Sequence, residues 1–173
     1  RIHRMSLGWA AGVALTLQRL QADGRTDEQF AREELFDYFA SQVLHASPVE
    51  TQEFLKCTAL LPTISGEMAD ALLGRKNSDD VLEELYRKGA FIDRRSARPA
   101  SYQYHDLFRA FLLVQLERSK TPEEFQRLQI AAACELERAG HADHAVRLYL
   151  QAGDMQSAAR LILAIAPSLL MQG

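Results

Sequence analysis

The sequence predicts a mainly α-helical chain that contains one winged helix with a small β-hairpin and continues into stacked helical hairpins. Three observations predict this fold class. Apolar residues recur at helical spacing through most of the 173 residues, and capping residues and glycines divide that pattern into short helices. Two short apolar runs flank one polar turn, which indicates a single hairpin. Three short helices followed by a hairpin is the order of a winged helix.

The first part of the chain contains two predicted helices. Residues 7–20 have apolar side chains at the spacing of a well-buried helix, and Gly24 follows the end of that pattern. Thr26 and Gln29 have the spacing of a capping box, in which each side chain bonds to the backbone at the other position. We therefore expect a second helix from Thr26 to about His45.

Three helices of the predicted winged helix follow. Each begins at a serine, whose side-chain oxygen can accept a hydrogen bond from a first-turn amide; these residues are Ser47, Ser65 and Ser78. Pro48 suits the first helical position, because it lacks an amide that would have no partner there. Gly74 and Gly89 follow the second and third helices and mark their ends.

The predicted hairpin has its strands at residues 91–93 and 102–104, around a basic turn that contains Pro99. Residues 106–118 then form an amphipathic helix, and Thr121 to Glu124 repeats the capping-box pattern. Later helices are expected at 125–139, 142–151 and 156 to about 170. Their small residues at contact positions indicate stacked hairpins; these are Ala131, Ala132, Ala145, Ala152, Ala158 and Ala159.

Several function classes find no support in the sequence. It contains no phosphate loop and no Gly-x-Ser-x-Gly elbow, so we expect no catalytic site in this chain. His141 and His144 form its one close histidine pair, without further ligands at metal-site spacing. Cys57 and Cys134 are expected to be buried thiols. The apolar runs are too short for a membrane helix, and a formal charge of -3 does not attract polyanions.

Direct DNA binding by the winged helix is also disfavoured. The helix that would enter the major groove, residues 78–89, carries four acidic side chains in its first seven positions, and phosphates are repelled there. The turn of the hairpin is basic, with Arg94, Arg95 and Arg98. An exposed cationic turn is usually only solvated.

His105 lies where a predicted strand ends and a helix begins, in the segment 102–108. Backbone amides at a helix N-terminus beside an imidazole can bind an anion. The alternative is that His105 caps the helix or packs at the junction. The residues by themselves favour this second interpretation.

Five blocks of the sequence, at residues 7–15, 35–39, 54–62, 82–85 and 102–108, resemble the region that follows the ATPase core in MalT-like, LuxR-type transcriptional regulators. These belong to the STAND class of signal-transducing ATPases. The resemblance implies that residues 1–46 are the end of a helical domain, 47–119 the winged helix, and 120–173 the start of a TPR-like helical-repeat domain. The ATPase core and the DNA-binding domain would lie outside this chain.

The resemblance also implies a nucleotide-binding role. In related ATPases the histidine of a Met-His-Asp motif contacts the ADP phosphate, and Tyr104-His105-Asp106 is similar to that motif, with tyrosine in place of methionine. Gly8 and Trp9 resemble a Gly-Leu-Pro element near the adenine, although the proline is absent. ADP or ATP would be bound by the full-length parent, and the isolated chain would have no cofactor.

The sequence therefore predicts a non-catalytic regulatory module of a cytoplasmic, ATP-dependent transcriptional activator. Its partners would be the upstream ATPase domain and downstream repeats of the same chain, and a small-molecule or protein inducer would act on the parent. Direct contact with nucleic acid or membrane is not expected. Two alternatives remain open: a protein-interaction adaptor built from the helical hairpins, and a DNA-binding winged helix.

Overall fold

The computed structural model describes residue 39 and residues 43–170, with side chains through Ala166. The chain divides into two compact units, residues 1–52 and 53–173. In the first unit, Phe39 is helical and buried, and a helical turn at residues 43–44 ends before His45. The predicted helix at 7–20 and most of the predicted helix at 26–45 lie outside the described residues.

The winged-helix order is confirmed in the residues that follow. Its three helices and two strands are α1 (Val49–Thr58), α2 (Gly66–Leu73), α3 (Ser78–Lys88), β1 (Ile92–Ala97) and β2 (Ala100–Tyr104). The hydroxyl oxygen of Ser65 accepts from the Met68 amide at 3.2 Å and caps α2 as predicted. Helices α2 and α3 end at Gly74 and Gly89, also as predicted.

Two of the predicted serine caps are wrong. The Ser47 hydroxyl donates to the Val43 carbonyl at 2.8 Å, because its side chain is directed back to the preceding turn. Ser78 is the first helical residue of α3 and not its cap; Asn77, at a positive φ of 70°, takes the cap position. The Ser78 amide instead donates to the Asp70 side chain at 3.0 Å, so a residue on α2 satisfies the start of α3.

Strand β2 has a second backbone partner, in addition to β1, that the sequence did not predict. Strands β1 and β2 are antiparallel, with Ile92 opposite Tyr104 and an irregularity between Arg94 and Ser96. On the other edge of β2, Ile64 and Tyr102 exchange two backbone hydrogen bonds of 2.8 Å. The segment between α1 and α2 is thereby joined to the sheet.

Aromatic side chains connect the hairpin to the next helix, α4 (Asp106–Ser119). Phe108 has no exposed surface, and its ring lies 5.5 Å from that of Phe91 and 5.8 Å from that of Tyr104, centroid to centroid. Phe111 stacks on the same ring at 6.2 Å. This cluster holds the start of α4 against both strands.

Three helices follow, α5 (Pro122–Arg138), α6 (Ala142–Gln151) and α7 (Met155–Leu170), and consecutive members pack together. The predicted capping box at Thr121 and Glu124 is present. Gly140 and Gly153, at φ of 81° and 76°, make the tight turns between helices. Helix α2 packs against α5, which joins the winged helix to these hairpins within the second unit.

The predicted alanine contacts are confirmed in most cases. Ala132, Ala145, Ala152 and Ala158 are buried, because small side chains let the helices approach closely. Ala159 is exposed and Ala131 is half-buried, so these two predictions were wrong in whole or in part. Neighbouring Ala133 is the buried residue instead.

The two thiols differ in burial. Cys57 is buried as predicted, whereas Cys134 is only half-buried, and its sulfur lies 3.2 Å from the Tyr149 hydroxyl. Burial raises the pKa of the Cys57 thiol. Among the helices that the structure describes, none has the length and apolar character needed to cross a bilayer.

Candidate functional site

His105 joins β2 to α4, and its backbone is held on both sides. Its amide donates to the Phe91 carbonyl at 2.9 Å, across the base of the hairpin. Its own carbonyl accepts the first hydrogen bond of α4, from the Arg109 amide at 2.8 Å. His105 is therefore the cap residue of α4, at the end of the helix where backbone amides face outward.

The imidazole of His105 lies at the surface. Its side chain is 40% exposed, and Nε2 lies 3.9 Å from Oδ1 of Asp93. The Phe91 ring lies edge-on to the imidazole at a centroid distance of 6.4 Å. The side chain makes no capping bond to α4, so His105 caps the helix through its backbone only. Its ring packs on Phe91, as the packing alternative expects.

Tyr104, the residue before His105, is anchored to α1. Its hydroxyl lies 2.8 Å from Oγ1 of Thr58, and both side chains are buried. The Thr58 hydroxyl proton is directed to the Phe54 carbonyl at 2.7 Å, so Tyr104 is the donor in the shared bond. Burial raises the pKa of Tyr104 far above its usual range, and the tyrosine stays neutral.

Arg109, one turn after His105, is anchored to the same end of α1. Its Nε donates to the Ala59 carbonyl at 2.8 Å and its Nη2 to the Leu60 carbonyl at 3.3 Å. Burial lowers the pKa of the guanidinium, and the charge of Asp106 opposes this effect. Arg109 was not predicted as a site residue; the signal for it was a cation in the first turn of the helix, four residues after His105.

Phe91 supplies the site with an unusual backbone conformation. Its φ is +53°, in the left-handed region that bulky residues rarely adopt. In this conformation the Phe91 carbonyl reaches the His105 amide while the ring packs against Phe108. A non-glycine residue in this region costs about 1 kcal/mol, so the surrounding packing maintains this geometry.

The charges around His105 limit what the arrangement can do alone. The Asp93 carboxylate lies 3.9 Å from the His105 ring, and Asp106 follows His105 in the chain. The Arg109 guanidinium is already hydrogen-bonded to the Ala59 carbonyl after α1. An imidazole at a helix N-terminus can contact one phosphate group, but the neighbouring carboxylates oppose a lone anion. The arrangement is therefore a poor binding site for an anion by itself.

Gly8 and Trp9 lie outside the described residues. Within the part of the chain that the structure describes, no group of three or more His, Cys, Asp or Glu side chains is arranged to hold a metal ion. The His144 ring lies 3.1 Å from Asp143 and near His141 at the exposed start of α6.

Two of the three arginines predicted in the turn of the hairpin, Arg94 and Arg95, lie in strand β1 instead and contact the protein itself. Arg94 forms an ion pair with Glu83 of α3 at 2.9 Å and lies over the Tyr102 ring. Arg95 donates to the Gln103 side chain at 2.7 Å. Two of the three arginines that could contact DNA phosphates thus already have partners, one of them acidic.

Comparison with known proteins identifies the domain. Residues 40–124 match the family model for the MalT winged helix domain. The chain carries a MalT-type winged helix domain. His105, Tyr104 and Arg109 all lie within the matched residues.

Similarity to longer proteins extends beyond this MalT-type domain. The chain is 29% identical over 160 residues, 90% of its length, to the serine/threonine-protein kinase PknK of Mycobacterium tuberculosis (strain ATCC 25618 / H37Rv). It is 30% identical over 133 residues, 73% of its length, to the HTH-type transcriptional regulator MalT of Vibrio cholerae serotype O1. The chain spans only 14% and 15% of the length of these two relatives.

Proposed function

We propose that the chain is a non-catalytic regulatory module of an ATP-dependent, LuxR-type transcriptional activator of the STAND class. The winged helix, residues 47–119, couples the nucleotide state of an upstream ATPase core to downstream sensor repeats that begin at residues 120–173. Its partners are these neighbouring domains of one cytoplasmic protein. An inducer acts by shifting the population between two packings of the module.

The observation that carries this proposal is the position of His105. It is held by backbone hydrogen bonds on both sides, while its imidazole remains 40% exposed beside the first turn of α4. His105 is thus suited to contact the phosphate of an ADP bound mainly by the ATPase core.

The nucleotide would contribute a polyanion whose charge changes between ATP and ADP. On this chain, His105 would hold one phosphate oxygen through an imidazole N–H, and Asp93 would compete with that oxygen for the ring. The affinity of the winged helix for the nucleotide-bound core would therefore depend on whether the His105 ring pairs with Asp93 or with the phosphate. We assign Gly8 and Trp9 to the adenine side of the same site.

The names of the two relatives support a relay role. One is a protein kinase and the other a transcriptional regulator, yet both contain a region similar to this chain. A region shared by proteins with different outputs is more consistent with regulation than with either output itself. A winged helix by itself serves many roles, so the proposed function depends on the site and not on the fold.

The decisive experiment measures ADP release from the longer protein with His105→Ala. Dissociation of a fluorescent ADP analogue is followed after a chase with unlabelled ADP, and transcription from a target promoter is measured without inducer. Loss of one charge-assisted contact of about 1.5–3 kcal/mol predicts release that is faster by a factor of roughly 10–100. Basal transcription rises in parallel.

The control is His144→Ala. His144 is 42% exposed and lies beside a carboxylate, as His105 does, but in the helical hairpins. It leaves ADP release unchanged. If His105→Ala gives the same release rate as the control, the nucleotide-contact role is wrong.

The second candidate is a protein-interaction adaptor. Large apolar side chains are exposed on α6 and α7, which favours a binding surface there; these are Leu150, Met155, Ile162 and Leu163. Its signature is partner binding that is unaffected by nucleotide and lost in Leu163→Gln. DNA binding is the third candidate, tested by a salt-dependent gel shift that is lost in an Arg94/Arg95/Arg98 triple variant.

A further inference from the structure

We propose that Tyr104 and Arg109 are positioning residues for His105, and that they attach it to the C-terminal end of α1. This inference rests on the proposed function of His105. It concerns how the sensor side chain is oriented, and it makes the end of α1 a part of the site. Neither residue contacts the ligand in this proposal.

Two anchors flank His105 and meet in one place. The hydroxyl of Tyr104, immediately before His105, donates to Thr58 at 2.8 Å. The guanidinium of Arg109, one helical turn later, donates to the Ala59 and Leu60 carbonyls at 2.8 and 3.3 Å. Three consecutive residues, 58–60, therefore accept hydrogen bonds from the side chains on both sides of His105.

The physical chemistry makes these anchors strong. Ala59 and Leu60 follow the last residue of α1, near the negative end of the helix dipole. The Arg109 guanidinium donates to both of their carbonyls through charge-assisted hydrogen bonds. Since Arg109 is half-buried, its release from Ala59 and Leu60 would leave a partly desolvated charge without these acceptors.

Alternative roles for the two residues explain less. Tyr104 would fill its core position equally well as phenylalanine, so its hydroxyl is needed only for the bond to Thr58. Arg109 interrupts an apolar helix face, where a leucine would pack without the cost of burying a charge. Both polar groups reach across about 50 residues of sequence to the same turn, so a movement of the end of α1 is transmitted to His105.

Nuclear magnetic resonance on the 173-residue chain tests the proposal without nucleotide. The variants are Arg109→Met, Arg109→Lys and Tyr104→Phe, and the control is Tyr149→Phe. Tyr149 is as buried as Tyr104, at 1% exposure, and also uses its hydroxyl, toward Glu137. The readouts are the His105 ring cross-peaks and the hydrogen-exchange rate of the His105 amide.

We expect Arg109→Met and Tyr104→Phe to shift the His105 ring signals and to accelerate exchange of its amide roughly tenfold, the factor that corresponds to about 1.4 kcal/mol. Arg109→Lys gives smaller changes than Arg109→Met in both readouts, because an ammonium can still donate to one carbonyl. Tyr149→Phe leaves both readouts unchanged. Equal changes in the control, or none in the Arg109 and Tyr104 variants, would overturn the proposal.

A second measurement separates this inference from the proposed function. In the longer protein, we expect Arg109→Met to accelerate release of the fluorescent ADP analogue about as much as His105→Ala does, roughly tenfold or more. The double variant releases the analogue little faster than either single variant, because both residues act through one contact. If His105→Ala leaves release unchanged while the resonance results hold, the nucleotide role fails and the positioning role stands. If His105→Ala accelerates release and Arg109→Met does not, the positioning role fails.

Discussion

Substitution of Gly66 by alanine probes how α2 and α3 meet in the winged helix. Gly66 is the first residue of α2, and a Cβ built on it would lie 2.2 Å from Cγ and 2.3 Å from Oδ1 of Asp79. Its three nearest atoms all belong to that carboxylate group. The absence of a side chain at Gly66 therefore makes room for the first turn of α3.

The magnitude follows from the overlap. Carbon atoms in contact normally lie about 3.5–4.0 Å apart, so the Asp79 side chain must move by more than about 1 Å. The colliding atoms are the far end of an exposed, flexible side chain, so relief of the overlap costs about 0.5–1.5 kcal/mol for an unfavourable Asp79 rotamer, and alanine in a helix regains about 0.5–1 kcal/mol over glycine. We expect Gly66→Ala to change the free energy of unfolding by less than about 1 kcal/mol.

Urea unfolding followed by circular dichroism measures this change in a double-mutant cycle. Asp79→Ala alone removes a carboxylate from the positive end of α3 and costs about 0.3–1 kcal/mol. In the double variant the clash is absent, so the two changes depart from additivity by about 0.5–1.5 kcal/mol, in the direction of a more stable double variant. Asp80→Ala is the matched control, because it has the same effect on the dipole and adds normally to Gly66→Ala. A loss of more than about 2 kcal/mol in Gly66→Ala, or additivity with Asp79→Ala, would refute this reasoning.

Three further predictions concern stability. Ser78→Ala is neutral or stabilises by up to about 1 kcal/mol in urea unfolding, because its buried hydroxyl has no hydrogen-bond partner among the described residues. Gly140→Ala lowers the melting temperature through a backbone cost of about 1 kcal/mol alone, since φ is +81° and a Cβ would meet nothing within 4 Å. Burial disfavours ionisation of Glu53, but hydrogen bonds from Lys56 and Lys120 outweigh it and hold its pKa below the usual value. A lowered folded-state pKa contributes stability above the unfolded value and loses it as pH falls. Lys120→Met therefore lowers the free energy of unfolding by about 0.3–1 kcal/mol at pH 7, since the pair is half-exposed. This difference from the parent chain shrinks below about pH 4, where Glu53 becomes protonated in the unfolded state. A difference that stays the same at low pH contradicts the assignment to Glu53.

The candidate site was predicted in part. The position of His105 between strand and helix follows from the change of pattern at residues 102–108, and the structure places it there. Its neighbour Asp93 was not predicted, because the two residues meet only through the register of the hairpin. Arg109 was also missed, since its acceptors are backbone carbonyls, which leave no trace in the side-chain pattern.

Local sequence by itself determined the fold class, the helix order and those helix ends whose partners lie within a few residues. The Ser65 cap and the capping box at Thr121 are of this kind, because each bond joins positions three residues apart. Tertiary structure decided the rest. The start of α3 depends on Asp70 from another helix, the backbone bridge at Ile64 depends on β2, and the orientation of His105 depends on anchors about 50 residues away at the end of α1. Contacts of that separation are selected by packing of the whole domain, so no short stretch of sequence specifies them.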